Sequence, residues 1–229
     1  MNRPKFHGIL GRCVSAAMSQ VSPKVAFAGS DERLLEALVA RRPGAWLAFY
    51  DRFAPYVLSV LRKVLGADAE LEDLVQEVFS RALEGVGRVR HADKLKPWLR
   101  SLTVFTARSL LKKRRWRRWL PFGGPAGGSD EDSIENSGLP ALTTSDAVQE
   151  RLVLKRVQVV LDRLPVDERL CFTLRHFEGL ELTDVAQSVG VSLSTAKRRL
   201  WRAEEAFNEL VKREPEIRGW LAEGRSFSS

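Results

Sequence analysis

The sequence predicts an all-α protein: two small helical domains joined by a flexible acidic linker, the second containing a helix-turn-helix. Three observations carry this. Apolar residues recur at intervals of three and four along most of the chain from Ser30 to Leu210, and no stretch alternates as a strand would. A Gly- and Pro-rich segment between Trp119 and Glu150 interrupts the period and holds no Lys or Arg. Beyond it, Leu182 to Leu200 has the apolar spacing, the small residue and the glycine turn of a helix-turn-helix. At 229 residues the chain is long enough for two units that each bury a core.

Residues 1–29 form an N-terminal extension without helical period, expected to be disordered. Arg3 and Lys5 ahead of Ile9, Leu10, Val14, Ala16 and Ala17 loosely imitate a secretory signal, but His7 and Arg12 break the apolar stretch. The first domain is expected over 30–118. Ser30-Asp31 caps a helix with Leu34, Leu35, Leu38 and Val39 on one face, closed by Pro43-Gly44. A second helix runs from about Ala45 to Leu65, with Pro55 inside it and Gly66 at its stop. A third, from about Asp68 to Leu83, sets Leu71, Leu74, Val75, Val78 and Phe79 against Glu70, Asp73, Gln76, Glu77 and Ser80 on the opposite face. A fourth has Pro97 in its first turn and ends in the basic run Lys112-Lys113-Arg114-Arg115-Trp116-Arg117-Arg118.

The linker is expected over 119–149, the second domain over 150–212 and a C-terminal tail over 213–229. Helical patterns cover Val153 to Leu164, Val166 to Phe177, Leu182 to Val189 and Ser192 to Leu210. The linker's roughly 30 residues span up to ~100 Å when extended, more than the ~70 Å of two turns of DNA.

A formal net charge of +8 makes a polyanion the first partner to consider. Cys13 and Cys171 lie far apart with no CxxC spacing, which fits a reduced compartment. His7, His91 and His176 are isolated, so no catalytic group, metal site or cofactor is proposed. No apolar run reaches the ~18 to 20 residues of a membrane span.

In the helix-turn-helix, Ala186 is the small residue where the helices touch and Gly190 the turn, with Val185, Val189, Val191 and Leu200 as anchors. Ser192 or Ser194 caps the second helix, which leaves Ser194, Thr195, Lys197, Arg198 and Arg202 for a major groove, with Arg199 in the same basic run. In the fourth helix, seven cations from Arg108 to Arg118 lie beside Trp116 and Trp119, a composition suited to strand phosphates and unstacked bases. Trp98 shares a stripe with Leu102 and Phe105, so a place in the core competes with a base contact.

These segments, in this order, resemble bacterial sigma factors of the extracytoplasmic-function (ECF) class. The resemblance covers about residues 31 to 118 and 150 to 210. Leu161-Asp162-Arg163-Leu164-Pro165, Phe172 to Leu180 and the helix-turn-helix look like that family's C-terminal DNA-binding domain, and Glu72 to Phe79 like its polymerase-binding helix. Ala196 stands where a larger Val or Ile is usual, and Val104-Phe105 where Arg-Asn is common. The resemblance implies that Asp73, Gln76 and Glu77 meet core RNA polymerase, with Leu74, Val78 and Phe79 divided between that contact and the domain core, and that the segment bearing Lys94, Lys96 and Trp98 reads the upstream promoter element together with Lys112, Lys113, Arg114 and Arg115. It further implies promoter DNA and an anti-sigma factor as partners, no chemistry of the chain's own, no membrane insertion and a cytoplasmic place of action. The alternative is an autonomous helix-turn-helix regulator with an N-terminal dimerisation domain.

Overall fold

The computed structural model describes residues 30–119 and 145–222, and no strand occurs among them. Helix α1 (Asp31–Val39) begins where the Ser30 hydroxyl accepts the Arg33 N–H. Arg41 and Gly44, both at positive φ, turn the chain into α2 (Ala45–Leu65). That helix passes through Pro55 without interruption. Helix α3 (Leu71–Gly85) starts three residues later than the apolar pattern suggested, because Asp68 folds back to accept the Glu70 N–H at 2.9 Å. Two short 3₁₀ turns, Val86–Arg88 and Ala92–Lys94, lead into α4 (Leu95–Trp119).

The core of this first unit is built from Phe49, Val57, Val60, Leu61, Val64, Val78, Leu95 and Leu99, all fully buried. Trp46, Phe49 and Tyr50 pack round Phe79 with ring centroids 4.7–6.1 Å apart. Each such side chain contributes about 1.5–3 kcal/mol by leaving water.

The second unit comprises α5 (Ser145–Arg163), α6 (Val166–His176), α7 (Leu182–Val189), α8 (Leu193–Val211) and α9 (Pro215–Ala222). Two boundaries differ from the sequence expectation. Helix α5 begins at Ser145, inside the stretch assigned to a linker ending at 149; Thr144-Ser145-Asp146 are residue types that start helices, a signal hidden by the Gly- and Pro-rich composition around them. The supposed tail over 213–229 contains α9, with Pro215 at its first position and Ile217 fully buried against the core of Val153, Val157, Val160, Leu161, Phe172 and Phe207. Within that core the Phe172 and Phe207 rings lie 4.6 Å apart.

The two units pack on one another, which the sequence did not announce. Leu170, Leu174, Val185 and Val189 of α6 and α7 join the apolar cluster of the first unit. The C-terminal end of α2 is covered by the second unit: Arg169 donates to the Val64 carbonyl at 2.9 Å and Gln158 to the Lys63 carbonyl at 3.3 Å. Those carbonyls have no partner within their own helix, and a cation there also complements the helix dipole. Gly66, at φ +84°, permits the approach, since a Cβ on it would lie 3.2 Å from Cγ of Gln158. The expectations for the N-terminal extension and for most of the linker fall outside the described residues.

Candidate nucleic-acid and docking surfaces

The amphipathic period of α3 turns Leu71, Leu74, Val75, Val78 and Phe79 into the core and leaves Glu72, Asp73, Gln76 and Glu77 on the surface. The result is a polar patch carrying three carboxylates. Of the residues divided between the polymerase contact and the core, Leu74 and Phe79 are 5% and 3% exposed and pack in the core. Glu72, which the sequence reading left out, belongs to the patch. At its edge Arg81 pairs with Glu77, donates to the Thr106 hydroxyl at 3.2 Å and lies over the exposed Phe105 ring.

The basic end of α4 divides as helical geometry dictates. Lys112, Lys113 and Arg115 are exposed, whereas Arg114 turns inward to Asp68 and Glu70. Burial alone would raise the Asp68 carboxyl, but the hydrogen bonds from Arg114 and the Glu70 N–H outweigh it and hold the group below its ordinary range. Arg114, expected among the DNA contacts, is thus held by two carboxylates of the fold. Earlier in the helix, Lys94 pairs with Asp93, and Lys96 lies over the Tyr56 ring at 4.7 Å. Trp98 is half-buried against Gly85, where an added Cβ would come within 3.0 Å of Cζ2, so the indole is seated in the fold.

In the helix-turn-helix, Gly190 adopts φ +71° at the end of α7, and the Val191 N–H returns to the Ala186 carbonyl at 3.0 Å. Ser192 is the cap of α8: its hydroxyl accepts the Thr195 N–H at 3.3 Å and donates to the Thr195 hydroxyl at 2.9 Å. Ala196 and Leu200 are buried beneath the helix, and Ser194, Lys197, Arg198 and Arg202 face outward. Thr195 is tied into the cap, and Arg199 of the same basic run is half-buried against Asp167 at 3.1 Å. Trp201, 60% exposed and one turn beyond Lys197, shares that face; its i+4 spacing was the available signal.

Among the described residues no His, Cys, Asp and Glu side chains gather into a group able to hold a metal, and no helix is long and apolar enough to cross a membrane.

Two family models match the two units. The family model for Sigma-70 region 2 matches residues 49–117, which hold α3 and the basic helix. That for Sigma-70 region 4 matches 154–207, which hold the helix-turn-helix. The RNA polymerase sigma factor SigV of Bacillus subtilis is 30% identical over 131 residues, covering 57% of this chain and 69% of that protein. The ECF RNA polymerase sigma-E factor of Escherichia coli is 26% identical over 190 residues, 80% of this chain and 95% of that protein. The chain belongs to the ECF sigma factors. The solved sigma factor RpoE of Bartonella quintana, in complex with the anti-sigma factor NepR, shares the fold with a TM-score of 0.51 at 24% identity, covering 73% of this chain and 96% of that one. In this sigma factor region 2 thus carries the acidic patch and the basic helix, and region 4 carries the capped helix α8 of the helix-turn-helix. Helix α9 lies beyond the region 4 match.

Proposed function

We propose that this sigma factor binds core RNA polymerase through the α3 patch of Glu72, Asp73, Gln76 and Glu77 and directs it to promoters by two DNA contacts. The exposed cations Lys112, Lys113 and Arg115 of α4, with Lys94 and Lys96, engage the strand near the start site. Ser194, Lys197, Arg198 and Arg202 of α8 read a more distant element in the major groove. The observation that carries this reading is the pairing, on one chain, of a region 2 match bearing a solvent-facing acidic patch with a region 4 match bearing a basic recognition face. The chain performs no chemistry of its own and acts in the cytoplasm, where polymerase and chromosome are. An anti-sigma factor is a further partner in this reading, supported by the fold shared with a sigma factor solved in such a complex.

The test is run-off transcription with purified core polymerase on promoters selected from genomic fragments. Core plus this chain should yield discrete transcripts and each alone should yield none. Protection of a specific operator by the chain alone, with no association with core, would replace this reading by that of an autonomous regulator.

A further inference from the structure

Helix α8 is divided along its length by charge. Its cations, Lys197, Arg198, Arg199 and Arg202, all precede Ala203, and its carboxylates, Glu204, Glu205 and Glu209, all follow it. A polyanion is drawn to the first half of the helix and turned away from the second. Ser194 to Arg202 covers about 12 Å at 1.5 Å per residue, which passes about three or four base pairs at ~3.4 Å each.

Trp201 stands just inside this boundary. It is 60% exposed, whereas Trp46 and Trp98 are half-buried in the fold. Ala196, Leu200 and Ala203 turn inward. Ser194, Lys197, Arg198 and Trp201 follow the i, i+3, i+4, i+7 spacing of one helix face and are all exposed or nearly so, so the indole is part of the outward face that begins at the Ser192 cap. Its neighbours there are a hydroxyl and cations, which suit a polyanion and not an apolar protein surface. On the base edges of the major groove one group is apolar, the C5 methyl of thymine.

We propose that Trp201 is a specificity-determining residue of α8 that reads a thymine of the distal promoter element by contact with its methyl group. This rests on the role of α8 proposed above. The indole offers one donor, Nε1–H, and no acceptor, so it selects by contact where Lys197, Arg198 and Arg202 select by hydrogen bonds. Charge sets the depth of insertion: Glu205, one turn beyond Trp201, faces phosphates if the helix goes further in, which makes Trp201 the last base-reading position. Spacing sets the register. Trp201 lies about 4.5 Å beyond Arg198 along the axis, so the thymine is about one or two base pairs from the pair that Arg198 contacts.

The test uses holoenzyme assembled from core polymerase and the full chain. A randomised duplex pool is selected with the wild type, and each thymine of the selected distal element is then replaced singly by deoxyuridine, which removes only the methyl group. In the wild type one such replacement should weaken binding by about fivefold, next to the position whose preference is lost in Arg198→Ala. Trp201→Ala should bind the thymine and deoxyuridine duplexes alike and select no thymine there, while Trp201→Phe, which keeps an apolar ring, should retain the discrimination. Melting of both variants should match the wild type. Trp201→Ala that keeps the same sensitivity to deoxyuridine overturns the proposal. So does a loss that is uniform across all sequences, the mark of a phosphate contact through Nε1–H, and so does a loss of core binding with DNA preference intact, the mark of a protein-docking surface. Each of these leaves the major-groove role of α8 standing. A wild-type holoenzyme that selects no distal element removes that role, and this proposal with it.

Discussion

Asp68 and Arg114 show how a residue's neighbours decide between structure and binding. Arg114 is one of four consecutive cations, yet the Asp68 carboxylate and Glu70 claim it, and it ties the far end of α4 to the start of α3. The folded Asp68 carboxyl titrates below its unfolded value, so the pair stabilises the fold above about pH 4 and loses that contribution as pH falls through the folded value. Asp68→Asn should therefore melt below the wild type at pH 7, and the gap should close in buffers below about pH 4. A gap independent of pH would mean that Asp68 acts only through its turn. Cys171 is governed by burial, which pushes its thiol up to about 11, with Arg199 pulling weakly the other way. At pH 8 about a thousandth of it is thiolate. With Cys13 replaced by Ser, modification by a disulfide reagent at pH 8 should run at least 100-fold slower in the folded chain than in denaturant. Equal rates would show that the thiol is accessible.

At the scale of the helix, the sequence is informative wherever one element is answerable to its own residues. Ser30 and Ser192 cap α1 and α8, Gly66 and Gly190 stop α2 and α7, and the apolar stripe of α3 is buried as its period requires. What stayed hidden were choices made by a second element. Whether Arg114 or Lys113 faces inward depends on where Asp68 lies, and Arg199 leaves the recognition face because Asp167 of α6 waits beside it. The same logic divides the effects of mutation on the basic helix. Gln at Lys112, Lys113 and Arg115 together should flatten the salt dependence of DNA binding by up to about 2.7, at about 0.9 per phosphate contact, and leave the melting temperature unchanged. Arg114→Gln should do the reverse. On α8, Ser192→Ala removes the cap and should cost about 0.5–2 kcal/mol of stability, whereas Arg198→Ala should leave melting unaltered and weaken distal-element binding by about 1–3 kcal/mol if it holds a base. Fluorescence titrations at several salt concentrations beside thermal melts separate these outcomes.

For the whole molecule, two helical units were legible from the interrupted period, and their packing was not. The apolar faces of α6 and α7 look from the sequence like faces for their own core. Leu170, Leu174, Val185 and Val189 instead reach the core of the first unit, across the whole linker, and Arg169 caps a helix of that unit. Periodicity reports that a face is buried and says nothing of what covers it. The acidic patch proposed to meet polymerase was legible as a pattern of charges, and the structure shows Leu74 and Phe79 packed in the core beneath it. The function therefore stands or falls on whether the remaining polar face of α3 meets polymerase. The direct measurement is association of the Asp73→Lys, Glu77→Lys double variant with core polymerase, read beside run-off transcription and with circular dichroism and melting as the control for folding. Both positions are exposed, so the fold should survive, while like charges facing a basic partner cost several kcal/mol. The account predicts that association and transcription fall together by at least 100-fold, with the DNA affinity of the recognition helix intact. A folded double variant that binds core and initiates at wild-type levels would contradict it.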